Sequence, residues 1–191
     1  YGQKVLKRDL NGYILNEEGV GLALENKETH LGSILPKMNM GWNLGFGYKG
    51  INLGMTFTGR FGGIVLSETQ SVLNAAGVSK ISADVRDAGG VPINQAKIDA
   101  RNYFQTIQTA SVYYTYSATN VRLGELSLSY TLPKKWFANK LGMTVGLVGK
   151  NLWMIYCKAP FDPELTTSAA SNFYQGFDAY MLPSTRNFGF N

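Results

Sequence analysis

The chain has 191 residues, 45% of them hydrophobic, with 22 glycines, 10 Phe, 11 Tyr and 3 Trp, and a formal charge of +5. Its single cysteine and single histidine exclude an internal disulfide and a multi-ligand zinc site, and they leave little for nucleophilic or acid–base catalysis. A mean hydropathy of −0.11, with no apolar run of about 18 residues, excludes a bundle of membrane helices but not a membrane barrel, in which half of each strand is polar.

Tyr1–Val5 lacks the charged-then-apolar pattern of a leader. Either a leader has been removed or the chain begins inside a longer polypeptide. Val5–Leu6 and Tyr13–Leu15 read as short strands around the turn dipeptide Asn11–Gly12, and Asn16–Gly19 reads as a further turn. His30 reads as a surface residue.

From Met38 to Arg60 the alternation is strict. Met38, Met40, Trp42, Leu44, Phe46 and Tyr48 share one face, and Asn39, Gly41, Asn43, Gly45 and Gly47 share the other. After a turn at Lys49–Gly50, Ile51, Leu53, Met55 and Phe57 oppose Asn52, Gly54, Thr56 and Thr58. Period-2 alternation of this kind marks strands with one apolar face. The polar face holds Asn, Gly and Thr with almost no charge, and the apolar face is bulky with aromatics at its ends. That is the pattern of a transmembrane barrel strand rather than a soluble sandwich. Each strand also reaches the 9–11 or so residues needed to cross at a tilt. Gly45–Gly50 matches the dinucleotide fingerprint G-x-G-x-x-G. A strand follows it rather than a helix, so the nucleotide reading is rejected.

Residues 61–119 lose the alternation and read as a long loop with short helices. Ser67–Gln70 fits a capping box, Ser71–Ala76 continues the helix, and Gly77 ends it. Asn94 is placed to cap a second helix over Gln95–Phe104, and Asp84–Gly90 between them reads as loop. Val121–Leu132 is the third strand. Its parity switches near Gly124–Glu125, which predicts a bulge, and Pro133 ends it. Lys134, Lys135 and Lys140 around Trp136 and Phe137 read as a basic aromatic turn, not a nucleic-acid site. The fourth strand runs from Leu141 to about Trp153. Cys157 reads as an incidental thiol. A second long loop spans residues 154–183, in which Asp162–Pro163–Glu164 reads as a structural turn rather than an acid–base pair. A last strand begins near Arg186, with Phe188 and Phe190 on one face.

The fold class is therefore all-β: a segment of a transmembrane antiparallel β-barrel with long extracellular loops. On its inner face the pattern places Asn39, Asn43, Thr56, Thr58 and Ser127, with Arg60 at the end. Tyr113, Tyr114 and Tyr116 read chiefly as packing, and as contacts for substrate or a covering partner if the loop presents them; Arg60 is assigned to the same contacts. No cofactor, metal or catalytic constellation is expected, and no nucleic acid.

Five stretches in order carry a resemblance: Leu31–Lys37 (LGSILPK), Val121–Pro133 (VRLGELSLSYTLP), Gly149–Trp153 (GKNLW), Asp162–Glu164 (DPE) and Leu182–Phe190 (LPSTRNFGF). Together they resemble the C-terminal end of SusC/RagA-type TonB-linked outer-membrane transporters of Bacteroidetes. The resemblance implies that residues 1–191 are the C-terminal part of a plugged barrel of 22 strands, with the plug, the TonB-contacting segment and most of the barrel upstream and the last strand continuing to a terminal aromatic. It implies TonB-powered import of glycans or peptides across the outer membrane, with outer-membrane lipid, TonB and a SusD-like surface lipoprotein as partners. It also implies that the segment is not stable without the rest of the barrel. The alternative is a soluble β-rich carbohydrate-binding module with the tyrosines as its platform.

Overall fold

The computed structural model describes residues 3–8, 10, 14, 16–17, 21–27, 30–93, 96–137, 142–165 and 176–191. In chain order the elements are β1 (Gln3–Leu6), β2 (Asn16–Glu17), β3 (Gly21–Leu22), β4 (Leu24–Lys27), β5 (Met38–Tyr48), β6 (Ile51–Phe61), β7 (Ile64–Ser67), α1 (Glu68–Ala75), α2 (Lys80–Asp87), β8 (Val91–Ile93), β9 (Ala96–Ile98), α3 (Ala100–Ile107), β10 (Thr115–Ser117), β11 (Asn120–Thr131), β12 (Thr144–Cys157), β13 (Phe177–Asp178) and β14 (Asn187–Phe190). Short 3-10 turns occupy Ser111–Tyr114 and Lys134–Phe137. Among the described residues no helix is long and apolar enough to cross a membrane.

The chain forms two compact units. One holds Ile34–Gly63, Ser117–Leu165 and Leu182–Asn191. Its centre is a five-stranded sheet in the order β14-β12-β11-β6-β5, with every neighbouring pair antiparallel. The β5–β6 hairpin turns on Lys49 (φ 45°) and Gly50 (φ 85°). Two consecutive positive φ values are the signature of the type I′ turn, whose twist matches that of the flanking strands. The Gly50 carbonyl accepts from the Thr131 amide at 2.7 Å, so the turn is also tied to the end of β11.

The parity switch in β11 is a bulge. Register shifts between Leu123 and Glu125 against both β6 and β12, leaving Gly124 as the extra residue. The bulge puts Val121 and Leu123 on the same face as Leu126 and Leu128. β12 runs to Cys157, past the expected end at Trp153. Asn151 and Leu152 stand opposite the bulge, and Ile155 is a second extra residue. Asn151 takes a φ of 54°, and its Nδ2 donates to the Thr185 carbonyl at 3.1 Å. These interruptions break the alternation and so hid the last turns of the strand. The long connection accordingly starts after Cys157. β14 pairs Phe190 with Leu147 and Phe188 with Gly149, and Asn191 continues the ladder through a mutual pair of backbone bonds with Gly146.

The second unit holds Tyr1–Ser33, Ile64–Tyr116 and Thr166–Met181. Leu6, Ile14, Leu22, Ile98, Ala100, Phe104, Ile107 and Tyr114 form its core. Residues 64–116 are therefore folded around an apolar core, rather than carrying isolated helices on an open loop. β1 pairs with β4, and Arg8 bridges to Ile14 across the expected Asn11–Gly12 turn, which itself lies outside the described residues. β7 stands between β10 and β13. The Ser67 hydroxyl accepts from the Gln70 amide at 3.0 Å and donates to Asp178 at 2.5 Å. It thus caps α1 while joining the two parallel strands β7 and β13, and Gly77 (φ 75°) follows the helix end as expected.

Two expectations change. Asp84–Asp87 is helix rather than loop: Ser79 caps α2 by accepting from the Ser82 amide at 3.0 Å, and Lys80 pairs with Asp84 one turn on. The helix expected over Gln95–Phe104 begins instead at Ala100. Asp99 caps it, accepting from the Arg101 and Asn102 amides at 3.0 and 3.4 Å. Ala96–Ile98 is drawn into a hairpin with β8, which buries Ile98. Asn94 and Gln95 lie outside the described residues.

Gly50 gives the first test. An added Cβ there would lie 2.9 Å from the Thr131 carbonyl at a φ of +85°. Gly50→Ala should therefore cost about 1–3 kcal/mol, read as a lower denaturant midpoint of the folded protein. Lys49→Gly, which relieves a non-glycine positive φ, should leave the midpoint unchanged or raise it.

Candidate functional site

Cross-strand partners in an antiparallel sheet point to the same face, so the register sorts the sheet residue by residue. On one face run Met40–Gly59–Val121–Tyr156, then Trp42–Phe57–Leu123–Trp153, Leu44–Met55–Leu126–Gly149, Phe46–Leu53–Leu128–Leu147 and Tyr48–Ile51–Tyr130–Val145. Aromatics stand at both ends and aliphatics between them. Leu152 folds over the dent that Gly149 leaves. Many of these side chains are exposed, including Trp42, Phe46, Leu147, Trp153 and Phe190. Ten steps along β5 cover about 33 Å. At a tilt of about 40° that is a height of about 25 Å, the height of a barrel's apolar band.

On the opposite face run Asn39–Arg60–Asn120, Gly41–Thr58–Arg122, Asn43–Thr56–Glu125, Gly45–Gly54–Ser127 and Gly47–Asn52–Ser129. Asn39, Asn43, Thr56, Thr58, Arg60 and Ser127 thus share one surface. It is tight at Gly54, where an added Cβ would lie 2.5 Å from the Ser127 hydroxyl, and open at Gly41 and Gly45, where it would meet nothing within 4 Å. The charged residues of these rows are Arg60, Arg122 and Glu125, and Arg60 Nη2 donates to the Ile34 carbonyl at 3.0 Å. Arg60 Nε is buried and has no partner among the described residues.

The strongest polar feature of this unit was not read from the sequence. Arg122 grips Asp162 with two hydrogen bonds, Nη1 to Oδ2 at 3.1 Å and Nη2 to Oδ1 at 2.7 Å, and reaches Glu164 at 3.2 Å. The Arg122 and Asp162 side chains are 11% and 7% exposed. Asp162 Oδ1 also accepts from the Glu164 amide at 3.1 Å. Burial pushes the Asp162 carboxyl up, but the Arg122 hydrogen bonds, the Glu164 amide and the Arg122 charge outweigh it and hold the group below its ordinary 3.8. The pair Asp162–Glu164 is thus a structural turn locked by an arginine, with neither carboxylate placed to move a proton. No local signal announces it, because Arg122 and Asp162 lie 40 positions apart. The exposed Glu125–Lys150 contact at 3.7 Å contributes little.

The tyrosines lie in the other unit. Tyr114 is 2% exposed, and burial pushes its hydroxyl up to about 12, partly offset by the nearby Asn74 side chain. It is a core residue with no free face for a ligand, which corrects its assignment as a contact. Tyr113 and Tyr116 are half-buried against the same core, and the Tyr113 hydroxyl accepts from the Leu6 amide at 3.0 Å. His30 is exposed, and Cys157 is a half-buried free thiol. Among the described residues no group of three His, Cys, Asp or Glu is placed to hold a metal.

With these two faces in view, comparison with known proteins decides the kinship. The curated TonB-dependent receptor P3 of Formosa agariphila is 30% identical over 165 residues, which is 83% of this chain and 16% of that protein. The chain belongs to the TonB-dependent receptors. A structure of the RagAB peptide importer in its closed-closed state aligns with a TM-score of 0.54 and 17% identity over 82% of this chain and 19% of that one, a likeness of fold. No family model matches the chain. The chain therefore spans under a fifth of the proteins it matches here, and its predominance of strand agrees with their all-β fold.

Arg122→Met, which strands a buried carboxylate, should cost about 3 kcal/mol, and Asp162→Asn less, both read from denaturant midpoints at neutral pH. The lowered Asp162 value adds stability that is complete above the unfolded pKa and fades as pH falls through the folded value. Acid should therefore reduce wild-type stability only below about pH 4, and that acid-dependent part should be missing from Asp162→Asn.

Proposed function

We propose that this chain forms part of the wall of a TonB-dependent outer-membrane importer, as the C-terminal part of a plugged barrel of about 22 strands. The observation that carries the reading is the two-faced sheet, with an apolar band of barrel height bounded by aromatics on one side and small polar side chains on the other. In water such a face would be an aggregation hazard; against lipid it is the stable surface. The small polar face, with Asn39, Asn43, Thr56, Thr58, Ser127 and Arg60, lines the lumen. The two-residue turn at Lys49–Gly50 lies at the periplasmic end, and the long connections after Phe61 and Cys157 leave from the extracellular end, where substrate and lid are met.

The cargo class is glycans or peptides. The RagAB likeness, to a peptide importer by its description, supports the peptide half, and the resemblance to SusC-type proteins supports both. A SusD-like lipoprotein closes the outer side, and TonB acts through upstream sequence. No covalent step is involved. A soluble carbohydrate-binding module is the weaker reading, because it would leave Trp42, Phe46 and Leu147 facing water.

The test is the full polypeptide in outer-membrane fractions. Mobility on a detergent gel should shift on boiling, and uptake of its cargo should require TonB. A species that stays monodisperse without detergent and shows no shift overturns the reading. The face assignment predicts that Leu53→Arg costs about 2–4 kcal/mol at mid-bilayer, while Asn52→Arg costs clearly less. Equal folding yields in lipid vesicles for the two substitutions would refute it.

A further inference from the structure

The two ends of the sheet differ in charge. Toward the Phe61–Asn120–Cys157 end Arg122 stands with Asp162 and Glu164, and at mid-sheet Glu125 faces Lys150. Toward the other end the strands and turns of the sheet carry no acidic side chain. The sequence holds none from Met38 to Ser67 and none from Leu126 to Phe161, the stretches that contain both turns there. Those turns carry Lys49, Lys134 and Lys135. The Lys49 ammonium sits 5.2 Å from the centre of the Tyr48 ring, and the next residue row on the apolar face is Tyr48–Ile51–Tyr130–Val145. In the 3-10 turn Lys134–Phe137, Lys135 is exposed and Trp136 is 68% exposed. Aromatic rings at the margin of an apolar band seek the bilayer interface. Cations without acids beside them attract negative charge, and the long lysine stem keeps its ammonium at headgroup level while the methylenes stay in the apolar layer.

We propose that this turn end is a binding rim for anionic phospholipid headgroups, formed by Lys49 and Lys135 with Tyr48 and Trp136. The occupant is a phosphodiester lipid of the adjoining leaflet. A soluble phosphate would gain nothing from an aromatic band beside it, and a folded protein partner would meet only two short turns. The inference rests on the membrane-barrel reading.

The experiment uses the full-length transporter in nanodiscs of mixed phosphatidylglycerol and phosphatidylcholine, with retained lipids counted by native mass spectrometry. The wild type should retain phosphatidylglycerol preferentially. Lys49→Gln with Lys135→Gln should lower that preference by about tenfold, Lys49→Arg with Lys135→Arg should keep it, and added salt should erode it. Heat-modifiable mobility, measured in parallel, reports folding. If all variants fold and show the same lipid preference, or if inorganic phosphate displaces the lipid, the rim is refuted while the barrel stands. If the wild type does not enter the nanodisc bilayer and shows no shift on boiling, the barrel reading fails and the rim with it.

Discussion

A backbone amide or carbonyl in hydrocarbon has no water to turn to, so every one must be paired by the chain itself. The five-stranded sheet meets that demand through continuous antiparallel ladders, and much else in its unit follows from keeping them continuous. The hairpin turn is of the type whose twist does not splay the strands. The Gly50 carbonyl is taken up by the Thr131 amide, and Asn191 still exchanges two bonds with Gly146. The outer sides of β5 and β14 have no neighbour among the described residues, and in the proposed barrel they pair with the remaining strands.

Bulges reconcile that ladder with a second demand, that one face stay apolar from end to end. A single extra residue at Gly124 moves Val121 and Leu123 onto the face of Leu126 and, in the same step, sends Arg122 to the polar side. There the guanidinium meets Asp162 and Glu164 and fixes the chain that leaves β12. A backbone irregularity thus places a buried ion pair. With no bulge, strict alternation would turn Arg122 toward the apolar face.

Local features of this architecture were legible in the sequence. Alternation from Met38 to Arg60 is a property of neighbours, as is the Lys49–Gly50 turn, and the change of parity at Gly124 shows in the order of residues alone. The Ser67 cap was readable for the same reason. What depends on distant partners was not readable. Arg122 and Asp162 are 40 positions apart, and nothing local signals that they meet. Tyr114 is buried in one core with Leu6, Ile14 and Phe104, which lie in separate stretches, so packing was readable for the aromatic run but its partners were not. β12 past Trp153 was obscured because Asn151, Leu152 and Ile155 disrupt the very periodicity that reveals a strand. α2 was missed because its apolar residues, Ile81 and Val85, are too few to mark a helix. The register places Asn39, Asn43, Thr56, Thr58 and Ser127 on one face, the face that the proposed barrel would turn to its lumen.

The long stretch between β6 and β11 has a consequence for how the sheet assembles. β7 and β10, at the beginning and end of that stretch, are hydrogen-bonded neighbours, and the Ala118 amide donates to the Gly63 carbonyl at 3.0 Å just outside them. The ends of the insertion are therefore brought together by its own internal pairing. For the pairing of β6 with β11, the effective length of the connection is then a few residues, and the entropy of closing a long loop falls on the insertion's own folding rather than on the sheet. Sequence between those two anchor points can lengthen, shorten or diverge without altering the strand register, so the insertion is free to vary while the sheet keeps its geometry.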